Sequence, residues 1–245
     1  MSKRSEIIEA YIRQSEWRAW TRIPIAGDAS SRRYERLTNS DQSVILMDDP
    51  DKKTDKFAEI AFALHRLQLH PPAILEHTPE LGIMVLSDLG KDDFASWLNK
   101  KPTEAPDLYK SASDILLHLQ GKDICADLAK LTPSIGGEMV AVTADFYLGK
   151  PAPELCFAVK QSLAEHASMP DTLSLRDFHA ENLIWRPAKS GFAKVGLLDF
   201  QDAFLAPSGY DLISLLRDVR RDVAPNLVEE IILYFAEWVK NESEF

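Results

Sequence analysis

The sequence predicts an α+β fold, with an antiparallel sheet and accompanying helix in the first ninety residues and helices over most of the remainder. Three observations lead there. Short apolar or alternating runs separated by turn residues crowd the stretch from Thr21 to Leu86, and the apolar spacing becomes helical beyond Gly90. Late in the chain, Leu183-Ile184-Trp185-Arg186 and Val195-Gly196-Leu197-Leu198 flank the breaker-rich Pro187-Ala188-Lys189-Ser190-Gly191, which reads as an antiparallel hairpin.

Taken in order, Ile7, Ile8, Tyr11 and Ile12, with Trp17 and Trp20 beyond, predict an opening helix of about four turns that serves packing. Thr21 to Ala26 reads as a strand, Gly27-Asp28-Ala29-Ser30-Ser31 as a turn, and Arg33 to Leu37 as the returning strand. Small residues and backbone N–H groups at such a turn can cradle a phosphate, which makes Gly27, Ser30 and Ser31 candidate contacts; an ordinary hairpin turn is the alternative. Ser43 to Asp48 is a continuous apolar strand, and Phe57, Ile60, Ala61, Leu64 and Leu67 trace a helix that Pro71-Pro72 should stop. Ala73-Ile74-Leu75 and Gly82 to Leu86 are the next strands, followed by the breaker Ser87-Asp88-Leu89-Gly90. Helices then run through Phe94, Trp97 and Leu98, and through Tyr109, Ile115, Leu116 and Leu119, with His118 as a packed histidine. Pro133 to Pro153 is rich in Gly and Pro and is open to substrate contacts. Two helices close the chain, Asp211 to Val219 and the amphipathic Leu227 to Val239.

The totals exclude several classes. Apolar content of 45% and charged content of 27% are those of a water-soluble globular chain long enough, at 245 residues, for one domain or two lobes. A net charge of −10 argues against nucleic acid, which calls for clustered Lys and Arg. Cys125 and Cys156 form no Cys-x-x-Cys pair, so neither a disulfide framework nor an oxidising compartment is expected. The charged start Met1-Ser2-Lys3-Arg4-Ser5-Glu6 lacks the apolar stretch of a signal peptide, and no window approaches 18 apolar residues. A cytoplasmic protein without a membrane partner is the expectation.

The hairpin carries the chemistry. Centred between Ser190 and Gly191, it would set Asn182 opposite Asp199, with Cα atoms roughly 4.5–5.5 Å apart. An amide and a carboxylate side by side suit Mg²⁺, which takes one or two such oxygens while phosphates and waters complete its octahedron. Asp177, five residues before Asn182, can reach the same space without being a ligand, where a base for an incoming hydroxyl must stand.

Asp-x-x-x-x-Asn, an apolar hairpin and Leu-Asp-Phe together resemble the catalytic core of the protein-kinase-like phosphotransferases. Leu175 departs from the His usual before Arg-Asp. In detail, Leu175-Arg176-Asp177-Phe178-His179-Ala180-Glu181-Asn182, Leu198-Asp199-Phe200-Gln201-Asp202 and Tyr210-Asp211-Leu212 are similar to the aminoglycoside-phosphotransferase-like kinases that phosphorylate the anomeric hydroxyl of N-acetylmuramate and N-acetylglucosamine. The resemblance implies a bilobal fold, with a nucleotide-binding lobe over 1–88 and a helical lobe over 89–245. ATP and Mg²⁺ would be the cofactors, Asp177 the base, Asn182 and Asp199 the metal ligands, and Ser87, Asp88 and Leu89 the adenine hinge. His179, Gln201 and Asp202 would face the acceptor, and Asp211 would cap or brace the base of the site. Where kinases carry a phosphate-binding lysine this chain has Met47, expected as an apolar wall of the cleft; Arg33 is the candidate replacement, a solvated arginine the alternative. Glu59, without that lysine, reads as a surface charge. The related kinases continue for several more helices, so a reduced acceptor pocket or a different acceptor is expected. An amino-sugar kinase leads; an aminoglycoside, choline-like or homoserine-like acceptor, and a kinase-like binding module without turnover, remain open.

Overall fold

The computed structural model describes residues 3–26, 31–122, 127–167 and 169–242. Gly27 and Ser30 of the candidate phosphate turn, and Cys125, lie outside the described residues.

Helix α1 (Lys3–Gln14) is shorter than the spacing predicts, because Ser15 Oγ accepts from Trp17 N and opens a separate 3-10 turn, Glu16–Ala19. A five-stranded antiparallel sheet follows, β1 (Thr21–Ile25), β2 (Arg33–Thr38), β3 (Ser43–Asp48), β4 (Ile74–Thr78) and β5 (Ile83–Ser87), in the order β1-β2-β3-β5-β4. Its register pairs Tyr34 with Met47, Arg36 with Ile45 and Val44 with Ser87. Both faces are covered. Leu37, Val44, Leu46, Ile83 and Val85 pack on Ile8, Ile12 and Trp17, while Met47, Met84 and Leu86 pack on Phe57, Ile60 and Leu64 of α2 (Thr54–Arg66). Two-sided burial is why β3 reads as an unbroken apolar run instead of an alternating one. Helix α2 ends before the prolines, where Gln68 takes a left-handed φ of 60° and Leu69 N bonds back to Leu64 O at 3.0 Å.

The rest is mainly helical. Asp93 caps α3 (Phe94–Lys100) by accepting from Ser96 N at 2.7 Å. The central helix α4 (Ala105–Leu119) buries Leu108, Tyr109, Ile115 and Leu119, and α8 (Pro225–Glu242) docks on it through Phe235, with Tyr234 Oη donating to Asp114 at 2.6 Å. His118 is a packing residue: its Nε2 lies 2.8 Å from Leu67 O and its ring 4.6 Å from that of Phe192. Helices α5 (Pro133–Thr143) and α6 (Pro153–His166) make a hairpin, and a Cβ on Gly137 would come within 2.8 Å of Cys156 O, so the glycine permits the close approach. Phe146, Tyr147 and Phe157 on this hairpin stand in solvent. Two small ribbons complete the fold, β6 (Thr172–Ser174) with β9 (Phe204–Ala206) and β7 (Leu183–Trp185) with β8 (Val195–Leu197), and α7 (Tyr210–Leu216) follows β9. No helix among the described residues is long and apolar enough to cross a membrane.

The ribbon register differs from the expected one by a residue. Leu183 pairs with Leu197, so the hairpin centres on Ser190, because the 3-10 turn Gly191–Lys194 and the Arg186 N to Lys194 O bond shorten the returning arm. Asn182 therefore faces Leu198, whose N–H donates to its carbonyl at 2.9 Å.

Candidate active site

The loop from β6 to β7 is held from behind. Asp211, buried at the start of α7, accepts from Ser174 Oγ and Leu175 N at 2.6 Å each and from Arg176 N at 3.1 Å. Burial pushes its carboxyl up to about 6, with these donors opposing the shift. The clamp also fixes Arg176 at φ 73°, a left-handed conformation that only an over-determined loop imposes on arginine. Asp177 comes next, half-buried. Its carboxyl is raised above the ordinary aspartate range by burial and by the charge of Asp199, against the lowering pull of Arg176 and His179. The two carboxylates are therefore within electrostatic reach of each other.

Asn182 ends a short 3-10 turn, Ala180–Asn182, and its Nδ2 donates to Asp177 O at 2.9 Å and lies 3.1 Å from His179 Nε2. With the nitrogen committed, Oδ1 is the atom left for a cation. A register slip of one residue reverses the face of every side chain on a strand, so Asp199 would have turned away from Asn182. Its own left-handed backbone, φ 53°, offsets that, and both residues line the same cavity. Gln201 Nε2 steadies the exposed Asp199 by donating to Oδ1 at 2.8 Å and approaches the exposed Asp202 at 3.4 Å. Two buried polar atoms beside this group have no partner, His179 Nδ1 and Gln201 Oε1. An amide oxygen with an adjacent carboxylate is a donor set that fits Mg²⁺.

The cavity encloses about 470 Å³ between the sheet and the ribbon, within the size range of small-molecule sites. Tyr34, Ile45, Phe57 and Leu86 form one wall, Ile184, Leu198 and Phe200 the other, and Ser87, Asp88 and Leu89 its edge. Asp88 is tied to Arg36 through Nε (2.5 Å) and Nη2 (3.1 Å), and Arg36 also donates to Gly90 O at 3.0 Å. Although burial opposes it, this pairing and the Gly90 N–H hold the Asp88 carboxyl below the usual range. Gly196 lies under the edge, where a Cβ would approach Leu89 Cδ1 to 2.8 Å.

Several expectations need correction. Arg33 is exposed on the opposite face of β2, beside a 130 Å³ hollow that it shares with Arg4, Arg22, Glu35 and Asp48, because strand side chains alternate. Met47 shares the cleft-side face but is wholly buried against α2 and is absent from the cavity lining, where Ile45 and Tyr34 take its place. Ser31 bonds Asp51 at 3.0 Å and does not line the cavity, and among the described residues none of 133–153 does either. Glu59 is exposed. Asp177 lies beside the cavity wall, joined to it through Asn182. The sequence reading missed Arg32, Tyr34 and Arg36, although period-two spacing places Tyr34 and Arg36 of β2, and Arg32 just before it, on the face opposite Arg33.

Comparison with known proteins bears on the family and the fold. The profile described as "Phosphotransferase enzyme family" matches residues 21–240. N-acetylmuramate/N-acetylglucosamine kinase of Caulobacter vibrioides is 32% identical, over 83% of this chain and 69% of that protein. The kinase of the same name from Pseudomonas aeruginosa is 30% identical, over 80% of this chain and 59% of its own length. The chain thus spans about six- to seven-tenths of these relatives. An ADP-bound aminoglycoside phosphotransferase superposes with a TM-score of 0.68 at 14% identity, covering 95% of this chain and 82% of that one. A choline kinase from Streptococcus pneumoniae gives 0.65 at 14% identity, covering 96% and 80%. With a family match across nine-tenths of its length and a cleft of this form, the chain belongs to the phosphotransferase enzyme family.

Proposed function

We propose that the protein is an ATP- and Mg²⁺-dependent kinase of the cytoplasm that phosphorylates the anomeric hydroxyl of an amino sugar of the N-acetylmuramate or N-acetylglucosamine type. The carrying observation is the convergence of Asp177, Asn182 and Asp199 at the mouth of a cavity edged by Ser87, Asp88 and Leu89. The names of the relatives support the acceptor class. In this reading residues 1–88 and 89–245 are the two lobes, and adenine lies between Ile45 and Leu86 on one side and Ile184 and Leu198 on the other.

Asp177 orients the acceptor hydroxyl and takes its proton as the oxygen bonds to the terminal phosphorus of ATP, whose bond to the bridging oxygen breaks so that ADP leaves. A carboxyl raised by burial and by Asp199 is a better proton acceptor than a solvated aspartate, which moves it toward the operating pH. Asn182 Oδ1 and the Asp199 carboxylate are the oxygens available to Mg²⁺, and Gln201 holds Asp199 in orientation. When bound, Mg²⁺ neutralises phosphate charge, which with positioning is most of the catalysis in such sites. In this reading His179, Gln201 and Asp202 border the acceptor side, where Asp202 is exposed and His179 and Gln201 are buried behind it.

The test is a screen of N-acetyl amino sugars, aminoglycosides and small amino alcohols with labelled ATP, followed by phosphorus NMR of the product. A phosphate on the anomeric carbon of an N-acetylated amino sugar is expected. A phosphorylated aminoglycoside or choline would reassign the acceptor, and ATP binding without acceptor-dependent consumption would make the protein a binding module.

A further inference from the structure

Met47 leaves a charge missing from the cleft. Position 47 is wholly buried, so even a lysine there would not stand freely in the cavity, and Arg33 faces away. Among the described residues lining the cavity, four are acids, Asp88, Asp93, Glu181 and Asp199, and three are cations, Arg32, Arg36 and Lys91. A triphosphate entering this lining needs a fixed positive charge at the end remote from the hinge. Arg36 is bound at the hinge end by Asp88 and Gly90. Lys91 is exposed one residue beyond Gly90, also at that end.

Arg32 stands elsewhere. It immediately precedes β2, four residues or about 13 Å of extended strand from Arg36. It is two residues from Tyr34, the partner of Met47, so it emerges on the cleft side at the end of the sheet where position 47 lies. Its Nε donates to Asp49 Oδ2 at 3.2 Å, with side-chain exposures of 13% for Arg32 and 2% for Asp49. Asp49 is itself anchored, its N–H to Gly82 O at 2.8 Å and its Oδ1 to Asp51 N at 3.0 Å. The Tyr34 hydroxyl oxygen accepts from the Arg32 guanidinium and also feels the charge of Asp199, which brings Arg32 and the metal-side carboxylate to one neighbourhood. A guanidinium is a planar fork of donors that matches phosphate oxygens, and its engagement with Asp49 and Tyr34 orients it on the cavity lining.

We infer that Arg32, oriented by the buried carboxylate of Asp49, is the phosphate-binding cation of this cleft and stands in for the lysine absent at position 47. The inference rests on the ATP-dependent reading above. In it the cation and its acidic partner both lie at one end of the sheet, β2 with the residue after β3, so helix α2 supplies no acid and its Glu59 is left in solvent. Asp49 is a positioning residue and touches no nucleotide.

Titration calorimetry of the full chain with Mg-ATP and with adenosine tests this. Arg32→Ala should weaken Mg-ATP about 10–100-fold, the equivalent of losing hydrogen bonds to a charged group, and leave adenosine unchanged. Arg32→Gln, which keeps the stem and a donor, should give the same split, so a folding defect in the alanine variant does not decide the matter. Asp49→Asn should weaken ATP by a smaller factor, again without touching adenosine. Arg33→Ala, on the far face, should alter neither ligand. Equal loss of ATP and adenosine in the Arg32 variants, unchanged ATP affinity, or a larger ATP defect in Arg33→Ala would each overturn the inference. If the unaltered protein bound neither ligand, the kinase reading would fall with it; ATP binding that survives in both Arg32 variants removes only the role of Arg32.

Discussion

Replacing Asp211 by alanine tests how the loop that carries Asp177 is held. The substitution strands three donors in a buried place, Ser174 Oγ, Leu175 N and Arg176 N, which had partners at 2.6, 2.6 and 3.1 Å. An unsatisfied buried donor costs about 1–3 kcal/mol, so the middle of the range gives a loss of about 5–6 kcal/mol. Against this, the wild type carries a buried charge whose penalty is visible in a carboxyl raised from 3.8 to about 6, worth roughly 3 kcal/mol at neutral pH, and the variant escapes it. A net destabilisation of about 2–3 kcal/mol at pH 7.5 is expected. The sign of the pH dependence follows. A carboxyl raised in the folded state contributes most while protonated, below the unfolded value, and that contribution falls as pH rises through about 6. Asp211→Ala should therefore cost more stability at pH 5 than at pH 7.5. Urea denaturation of both proteins at the two pH values measures this, and steady-state kinetics should show kcat reduced about 100-fold as Asp177 loses its placement. A cost below about 0.5 kcal/mol, a cost that grows with pH, or intact kcat in a destabilised protein would refute the reasoning.

Other outcomes follow from the same geometry. Asp177→Asn should lower turnover by about 10²–10⁴-fold, the contribution of a positioned general base, with ATP affinity unchanged by calorimetry. In the wild type, kcat should fall on the acid side with a midpoint above that of an ordinary aspartate, because burial and Asp199 favour the protonated form and activity needs the ionised one. Asp199→Ala should abolish Mg²⁺-dependent ATP binding while urea stability moves by no more than about 0.5 kcal/mol, since the side chain is exposed. Gly196→Ala should drive a methyl group against Leu89 and Ile184, weakening ATP and adenosine alike by about 1–3 kcal/mol, which sets it apart from the Arg32 variants.

Much of this was legible in the residues. The five strands and the helices over 94–119 followed from apolar spacing, and the Asp-x-x-x-x-Asn spacing located the acidic end of the cleft. What the sequence hid was geometry that depends on single residues. The ribbon register slipped because Gly191–Lys194 winds into a 3-10 turn, and Asp199 returned to the cleft through one left-handed residue; neither event leaves a mark on hydrophobic periodicity. Arg33 stands out in the sequence by its place on the strand returning from the phosphate turn, yet alternation from Tyr34 assigns it to the α1 side. The α5–α6 hairpin gave no clear pattern, since its packing rests on Gly136 and Gly137 and little of its apolar surface is covered.

The main apolar cluster has a mechanical consequence. It runs without a break from Met47, Phe57 and Leu64 through Phe200 to Tyr109 and Phe235, and the rings of Phe57, on α2, and Phe200, beyond β8, are 4.8 Å apart. Elements joined through a single interior cannot melt independently, so heating should produce one calorimetric peak with matching van't Hoff and measured enthalpies. The same joint restricts how the molecule breathes around a nucleotide. A wide opening would cut the interior, whereas a small sliding of Phe57 over Phe200 would not, and shear of packed side chains, not hinge bending, is the motion this architecture permits.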